Sequence, residues 1–195
     1  MADAILQPEW GDRYYSFDAQ WSESEEMASM RDGSGGEYSI VFSPAGAYVR
    51  VHDHESPMSP YANNGPWPGV VDEVPEVFRS CVLEPAFCDE ARMPVVTACL
   101  WREADDDCWH TGTIDFPEGR HDPDGAQWLL ALLTSGTPEA YRKFAEEYYE
   151  VPVDSAAVEH IFALRPLTLA VVAVLNSGIS ISDLAGDIAA IGYPQ

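Results

Sequence analysis

Positive charge is almost missing from this chain. Of its 195 residues only ten are basic, and Lys143 is the single lysine, against 33 acids and a net charge of −23. A chain this negative is repelled by nucleic acid and by anionic membrane surfaces. Long hydrophobic runs are also missing. The most apolar stretch, residues 167–175, falls far short of the roughly 18–20 residues that a bilayer-spanning helix needs. The chain opens Met-Ala-Asp-Ala with no basic segment and no long apolar stretch behind it. No secretory signal is expected there, and the expected location is the cytoplasm.

Cysteine is scarce too. Cys81, Cys88, Cys99 and Cys108 are the whole set and contain no C-x2-C pair. A zinc knuckle made from these four is therefore excluded, and the expectation is free, buried thiols. There is no G-x-S-x-G elbow, no P-loop and no G-x-G-x-x-G. The nucleophile elbow and the common phosphate-cradling loops are absent with them.

Hydrophobic residues make up 46% of the chain, enough for a proper core. Residues 1–36 are aromatic and acidic. Within them residues 22–31 read as a short helix, with Ser22 and Glu25 spaced as in a capping box and the Gly-rich run 32–36 ending it. From residue 37 the period changes to two. Residues 38–43 and 47–54 read as a hairpin around Pro44-Ala45-Gly46, and residues 95–103 and 108–116 as a second hairpin around residues 104–107. Between them, the four prolines and Asn63-Asn64-Gly65 of residues 56–69 predict a long, largely irregular loop.

Residues 126–193 read as helical. Helices are expected over 126–133, after a Thr137 cap with Pro138 behind it, after an Asp154 cap, from Thr168 to Asn176, and from Ser180 or Ser182 to Ile191. In the second of these, Tyr141, Phe144, Ala145, Tyr148 and Tyr149 fall on one apolar face. The expected fold is α+β, one domain over 1–195. An antiparallel sheet in the N-terminal two-thirds (hairpins within 37–116) would pack against about five short C-terminal helices.

Several constellations carry possible chemistry. The last two helices have a helix-turn-helix outline, but residues 166–195 contain no Lys or Arg, so DNA reading is not expected. His52 and His54 share a strand face at spacing two, and His110 on a neighbouring strand could complete a three-imidazole metal site. Gly46, five residues, then His52-Asp-His54 resembles part of a cupin signature, and Gly112, Pro117, Gly119 and His121 resemble its later motif. The resemblance implies a metal site at those histidines. The glutamate of that signature has no counterpart near residues 58–59, and a helical C-terminal third does not belong to the cupin fold. Cys108 and His110 share a strand face beside three aspartates, which oppose a thiolate. Asp122-Pro-Asp124-Gly125 reads as a helix-capping loop rather than a calcium loop.

Acid clusters dominate what is left. Asp105, Asp106, Asp107, Glu146, Glu147 and Glu150 are the candidate partner-binding residues. In size and charge the chain looks like bacterial immunity proteins, which implies a basic protein partner. The expected function is a non-enzymatic, acidic protein-binding module, of immunity or DNA-mimic type, with no cofactor, no nucleic acid and no membrane as partner. The alternatives are a metal-dependent enzyme using the histidine set, and an adaptor.

Overall fold

Beta-branched and aromatic residues alternate through residues 37–52, and there the computed structural model, which describes residues 1–195, has its central hairpin. The strands are β1 (Tyr15–Asp18), β2 (Glu26–Arg31), β3 (Glu37–Ser43), β4 (Gly46–His52) and β5 (Ala98–Glu103). The helices are α1 (Ala2–Leu6), α2 (Pro60–Asn63), α3 (Arg79–Val82), α4 (Ala126–Leu129), α5 (Ala131–Ser135), α6 (Pro138–Tyr149), α7 (Ser155–Phe162), α8 (Leu169–Leu175) and α9 (Ala185–Ile191). Antiparallel strands come first and most of the helix comes last, so the fold is α+β. No helix is long and apolar enough to cross a membrane. The chain divides into two compact units, residues 20–130 and residues 1–19 with 131–195.

In the first unit β2, β3, β4 and β5 run as an antiparallel meander. Arg31 lies opposite Glu37, Glu37 opposite His52, Tyr48 opposite Trp101 and Val51 opposite Ala98. Alternation then places Val41, Tyr48, Cys99 and Trp101 on one face, where Met58, Val70, Val74, Phe78, Val82, Phe87 and Val96 cover them. Each large apolar side chain enclosed this way contributes about 1.5–3 kcal/mol. At the β3–β4 turn Gly46 has φ 135°, and a Cβ there would stand 2.1 Å from the Arg102 carbonyl oxygen, so no other residue fits.

Three sequence expectations change here. Residues 22–31 are not a helix. The Ser22 hydroxyl does donate to Glu25 (3.0 Å), but the contact closes a turn into strand β2. Pairing with β3 along six residues outweighs the local helical preference. The run 32–36 is the β2–β3 turn, in which the Asp32 carboxylate accepts from the Ser34 and Gly36 amides (2.7 and 2.9 Å). Residues 108–116 do not return as a strand. After one bridge between Trp101 and His110 the segment leaves the sheet edge and lies against residues 67–73. There the Trp67 indole donates to the Asp115 carbonyl (3.0 Å), and a Cβ on Gly112 would meet the Gly69 oxygen at 1.9 Å. Residues 56–69 are largely irregular, as expected, with one helical turn, α2, and they bury Ser56, Met58, Ser59 and Pro60.

The second unit is built on α6–α9 with α1 and β1. Its core takes Ile5 from α1, Tyr141 and Ala145 from α6, Val158 and Ile161 from α7, Val172 and Leu175 from α8, and Ile188 from α9. Three caps lie where the sequence puts them: the side chains of Thr137, Asp154 and Thr168 accept from the amides of Ala140, Ala157 and Val171. The other ends differ. The helix expected over 126–133 is split at Leu130 into α4 and α5, and α9 starts at Ala185, because Ser180 and Asp183 bond to each other in a preceding turn. Two buried polar groups tie the termini of this unit together. Arg13 pairs with Asp187 and donates to the carbonyls of Gln7 (2.8 Å) and Pro8 (2.6 Å). Asp3 accepts from the Tyr141 hydroxyl and from the Tyr15 amide (2.5 Å).

Removing a cap leaves a helix amide without its acceptor. Asp154→Ala and Thr168→Ala are each expected to lower stability by about 1 kcal/mol in urea unfolding. Ser155→Ala, at an exposed position beside the cap, is expected to leave the midpoint unchanged.

Candidate functional site

Asp105, Asp106 and Asp107 form the turn that follows β5. Asp106 shapes it. Its carboxylate accepts from the Glu103 amide (2.9 Å) and its carbonyl accepts from Arg102 Nε (2.9 Å). Asp105 and Asp107 are exposed. In the other unit Glu146 is likewise engaged, with Arg142 at 2.7 Å and the Val153 amide at 3.3 Å, while Glu147 and Glu150 are exposed. Of the six acids, then, Asp106 and Glu146 have structural tasks, and Asp105, Asp107, Glu147 and Glu150 face solvent.

The end of α6 is electrostatically unusual. Glu146, Glu147 and Glu150 crowd a helix C-terminus that has no basic residue in its last turn. Acids at that end oppose the helix dipole by about 0.3–1 kcal/mol each. Glu150 also closes the helix with φ 55°, the left-handed conformation normally left to glycine or asparagine. Near the start of α6 the charges do match. There Arg142 holds Glu139 in two hydrogen bonds of 2.9 Å, and its guanidinium takes the Glu139 carboxyl down to about 2.

Two of the scarce bases, Arg13 and Arg50, are buried, and several others are turned onto backbone carbonyls. Arg50 is buried, donates to the Val95 carbonyl (2.6 Å) and to Glu37 (2.6 Å), and lies over the Phe87 ring. Arg79 donates to the carbonyls of Val71 and Asp72, and Arg120 to the Glu55 carbonyl and to Asp53. Asp53 is 1% exposed and is held besides by the Glu55 amide (2.9 Å). Around it Thr97 donates to the Asp124 carbonyl (2.6 Å) and Ser56 to that of Pro123 (2.6 Å), fastening residues 122–125 to the end of β4. Asp122 and Asp124 cap α4 through the amides of Gln127, Trp128 and Ala126, as the sequence suggests. Burial, the largest influence, pushes the Asp124 carboxyl up, and Asp122 adds to it. Arg50 and Asp53 are polar centres that the sequence reading misses. The one available signal was the alternation Tyr48, Arg50, His52, which aims all three at one sheet face.

The three histidines are not brought together, and no group of three or more His, Cys, Asp or Glu is placed to hold a metal ion. Strand β4 ends at His52, so His54 leaves the alternation in the turn beyond. His110 bridges to Trp101, which lies opposite Tyr48, four residues or about 13 Å along the strand from His52. The metal site that the cupin resemblance implies is therefore not assembled. His110 Nε2 does lie 3.3 Å from Asp106 and 3.8 Å from Cys108. A nucleophilic relay needs the nucleophile and the acid on opposite ring nitrogens, whereas here both address the same one. All four thiols are free. Cys81 and Cys99 are buried, and burial pushes them up to about 11 and about 12, so they are inert. Cys108 departs from the expectation and is exposed, because the segment carrying it leaves the sheet.

His52 is buried at 5% exposure. Its Nδ1 has no hydrogen-bond partner and its ring meets Tyr61 edge-on. Burial lowers its pKa from 6.5, and Arg50 and His54 lower it further against the opposing pull of Glu37 and Asp53. The unfolded chain thus takes up this proton at higher pH than the folded one. The stability that neutral His52 contributes is complete above about 6.5 and is lost as pH falls through the lowered value. Urea midpoints measured between neutral and mildly acidic pH are expected to drop with acidification, and His52→Leu is expected to flatten that part of the profile.

No protein-family model matches this chain, and neither a curated protein nor a solved structure matches it at a significant level.

Proposed function

We propose that the chain is an acidic protein-binding module, of the immunity or DNA-mimic kind, that engages a basic protein partner. The observation that carries this reading is the direction of its few cations. Arg13 and Arg50 are buried in ion pairs, and Arg79, Arg102 and Arg120 are turned onto backbone carbonyls. Surface acids such as Asp105, Asp107, Glu147 and Glu150 are exposed and outside the ion pairs that the bases make, and at −23 the long-range field of the chain is negative. The acids at the end of α6 add to the case, because the helix dipole opposes them there and Glu150 also has a left-handed backbone. Such a field speeds encounter with a positive surface and rejects nucleic acid and acidic proteins. Contacts of this kind need no cofactor.

Capture from lysate at low salt, with the bound proteins identified by mass spectrometry, tests it. The expected result is one dominant protein rich in Lys and Arg that raised salt releases. The quadruple variant Asp105→Lys, Asp107→Lys, Glu147→Lys, Glu150→Lys is expected to slow association with that protein by about tenfold or more, with a smaller change in dissociation. Capture of the same proteins by parent and variant, indifferent to salt, would overturn the reading.

A further inference from the structure

Helix α8 reads Leu-Ala-Val-Val-Ala-Val-Leu and carries no polar side chain. A helix apolar on every side is normally enclosed. Here only Val172 and Leu175 are buried, whereas Leu169 is 72% and Val174 53% exposed. Positions 169, 170, 173 and 174 fall on one side of the helix, and all four are exposed and apolar.

The turn before α8 adds a second observation. Helix α7 closes with the Leu164 amide on the Ile161 carbonyl (2.9 Å) and the Arg165 amide on the His160 carbonyl (3.3 Å), the two bonds of a Schellman motif. Glycine usually takes the left-handed position of that motif. In this chain it is Leu164, with φ 51° and 64% exposure. A bulky side chain there costs on the order of 1–2 kcal/mol in backbone strain, and its exposure gives nothing back. The turn is nevertheless fixed: His160 Nε2 lies 2.8 Å from the Pro166 carbonyl oxygen, and the Tyr193 hydroxyl donates to the Arg165 carbonyl (2.8 Å). A strained leucine is thus held out to solvent on a rigid support, next in sequence to a helix with an apolar outer side.

Charge identifies the occupant. No acidic residue occurs between Glu159 and Asp183, the longest acid-free stretch of the chain. A basic protein finds nothing there to attract it. Two copies of the chain, each at −23, repel one another wherever acids face acids, and the segment 160–182 itself brings no carboxylate to such a contact. We infer that the exposed side of α8, with Leu164, is the contact between two copies of the chain in a two-fold dimer. A two-fold contact sets the same patch against itself, so the apolar, acid-free segment of one copy meets that of the other.

This dimer is independent of the proposed basic partner, and salt separates the two. Screening weakens attraction to a basic protein but relieves repulsion between acidic copies. Sedimentation velocity of the full chain over a range of concentrations is expected to show a monomer–dimer equilibrium that tightens as salt rises. Leu169→Asp and Leu164→Gly are each expected to weaken it by about tenfold or more. Leu164→Gly is also expected to melt close to the parent under monomeric conditions, since glycine relieves the left-handed strain. A loss of dimer in that variant is then not a loss of fold. A parent that stays monomeric at every concentration and salt, or a dimer unchanged in both variants, would overturn the inference. So would a different protein that binds the monomeric parent and is lost with Leu164→Gly.

Discussion

Ten cations have to serve a chain with 33 acids, and where the structure uses them governs much else. Arg50 sits inside the sheet unit, where a guanidinium without partners would be strongly unfavourable. Its neighbours are arranged accordingly. Glu37 comes from the adjacent strand, the Val95 carbonyl from the segment entering β5, and the Phe87 ring covers the guanidinium plane. Arg13 has the same place in the helical unit, holding Asp187 of α9 and two carbonyls of the chain between α1 and β1. Each unit therefore encloses an arginine that fixes where distant segments meet.

With ten bases against 33 acids, and with five of the bases held in the interior or on backbone carbonyls, the surface is left acidic. That outcome links the packing of the core to the proposed function, because a negative field selects for positive partners before any detailed contact forms. It also gives the acid-free stretch around α8 its meaning. On a neutral protein a few exposed leucines and valines would be unremarkable. On this one they coincide with the longest stretch without an acid and with a leucine in a backbone conformation that suits it poorly.

Much of the helical part was legible. Thr137, Asp154 and Thr168 announce their helices because capping is a local interaction between a side chain and amides two or three residues on. Residues 38–52 were legible as a hairpin because alternation and the Pro44–Gly46 turn agree. The strand at 26–31 was not legible, since Ser22 and Glu25 at this spacing suit a turn as well as a helix start, and only the neighbouring strand decides between them. The segment 108–116 misled for a related reason: its composition suits a strand, but close packing of Gly112 against Gly69 draws it off the sheet edge. Among the candidate acids, Asp106 could not be told from its exposed neighbours, because its partner, the Glu103 amide, is settled by turn geometry, whereas the pairing of Glu146 with Arg142 follows from their i, i+4 spacing on α6 and only its bond to the Val153 amide needed the loop.

By itself the sequence determined the fold class, the caps, the central hairpin and the excess of negative charge. These follow from local hydrogen bonding, from periodicity and from composition, none of which needs distant contacts. Only the tertiary structure decided that His52, His54 and His110 stay apart and that Arg50 and Asp53 are buried. It also decided that an all-apolar helix keeps one side in solvent. Each of those depends on which segments meet across the chain, and a sequence composed so largely of interchangeable acids does not encode that in any single residue.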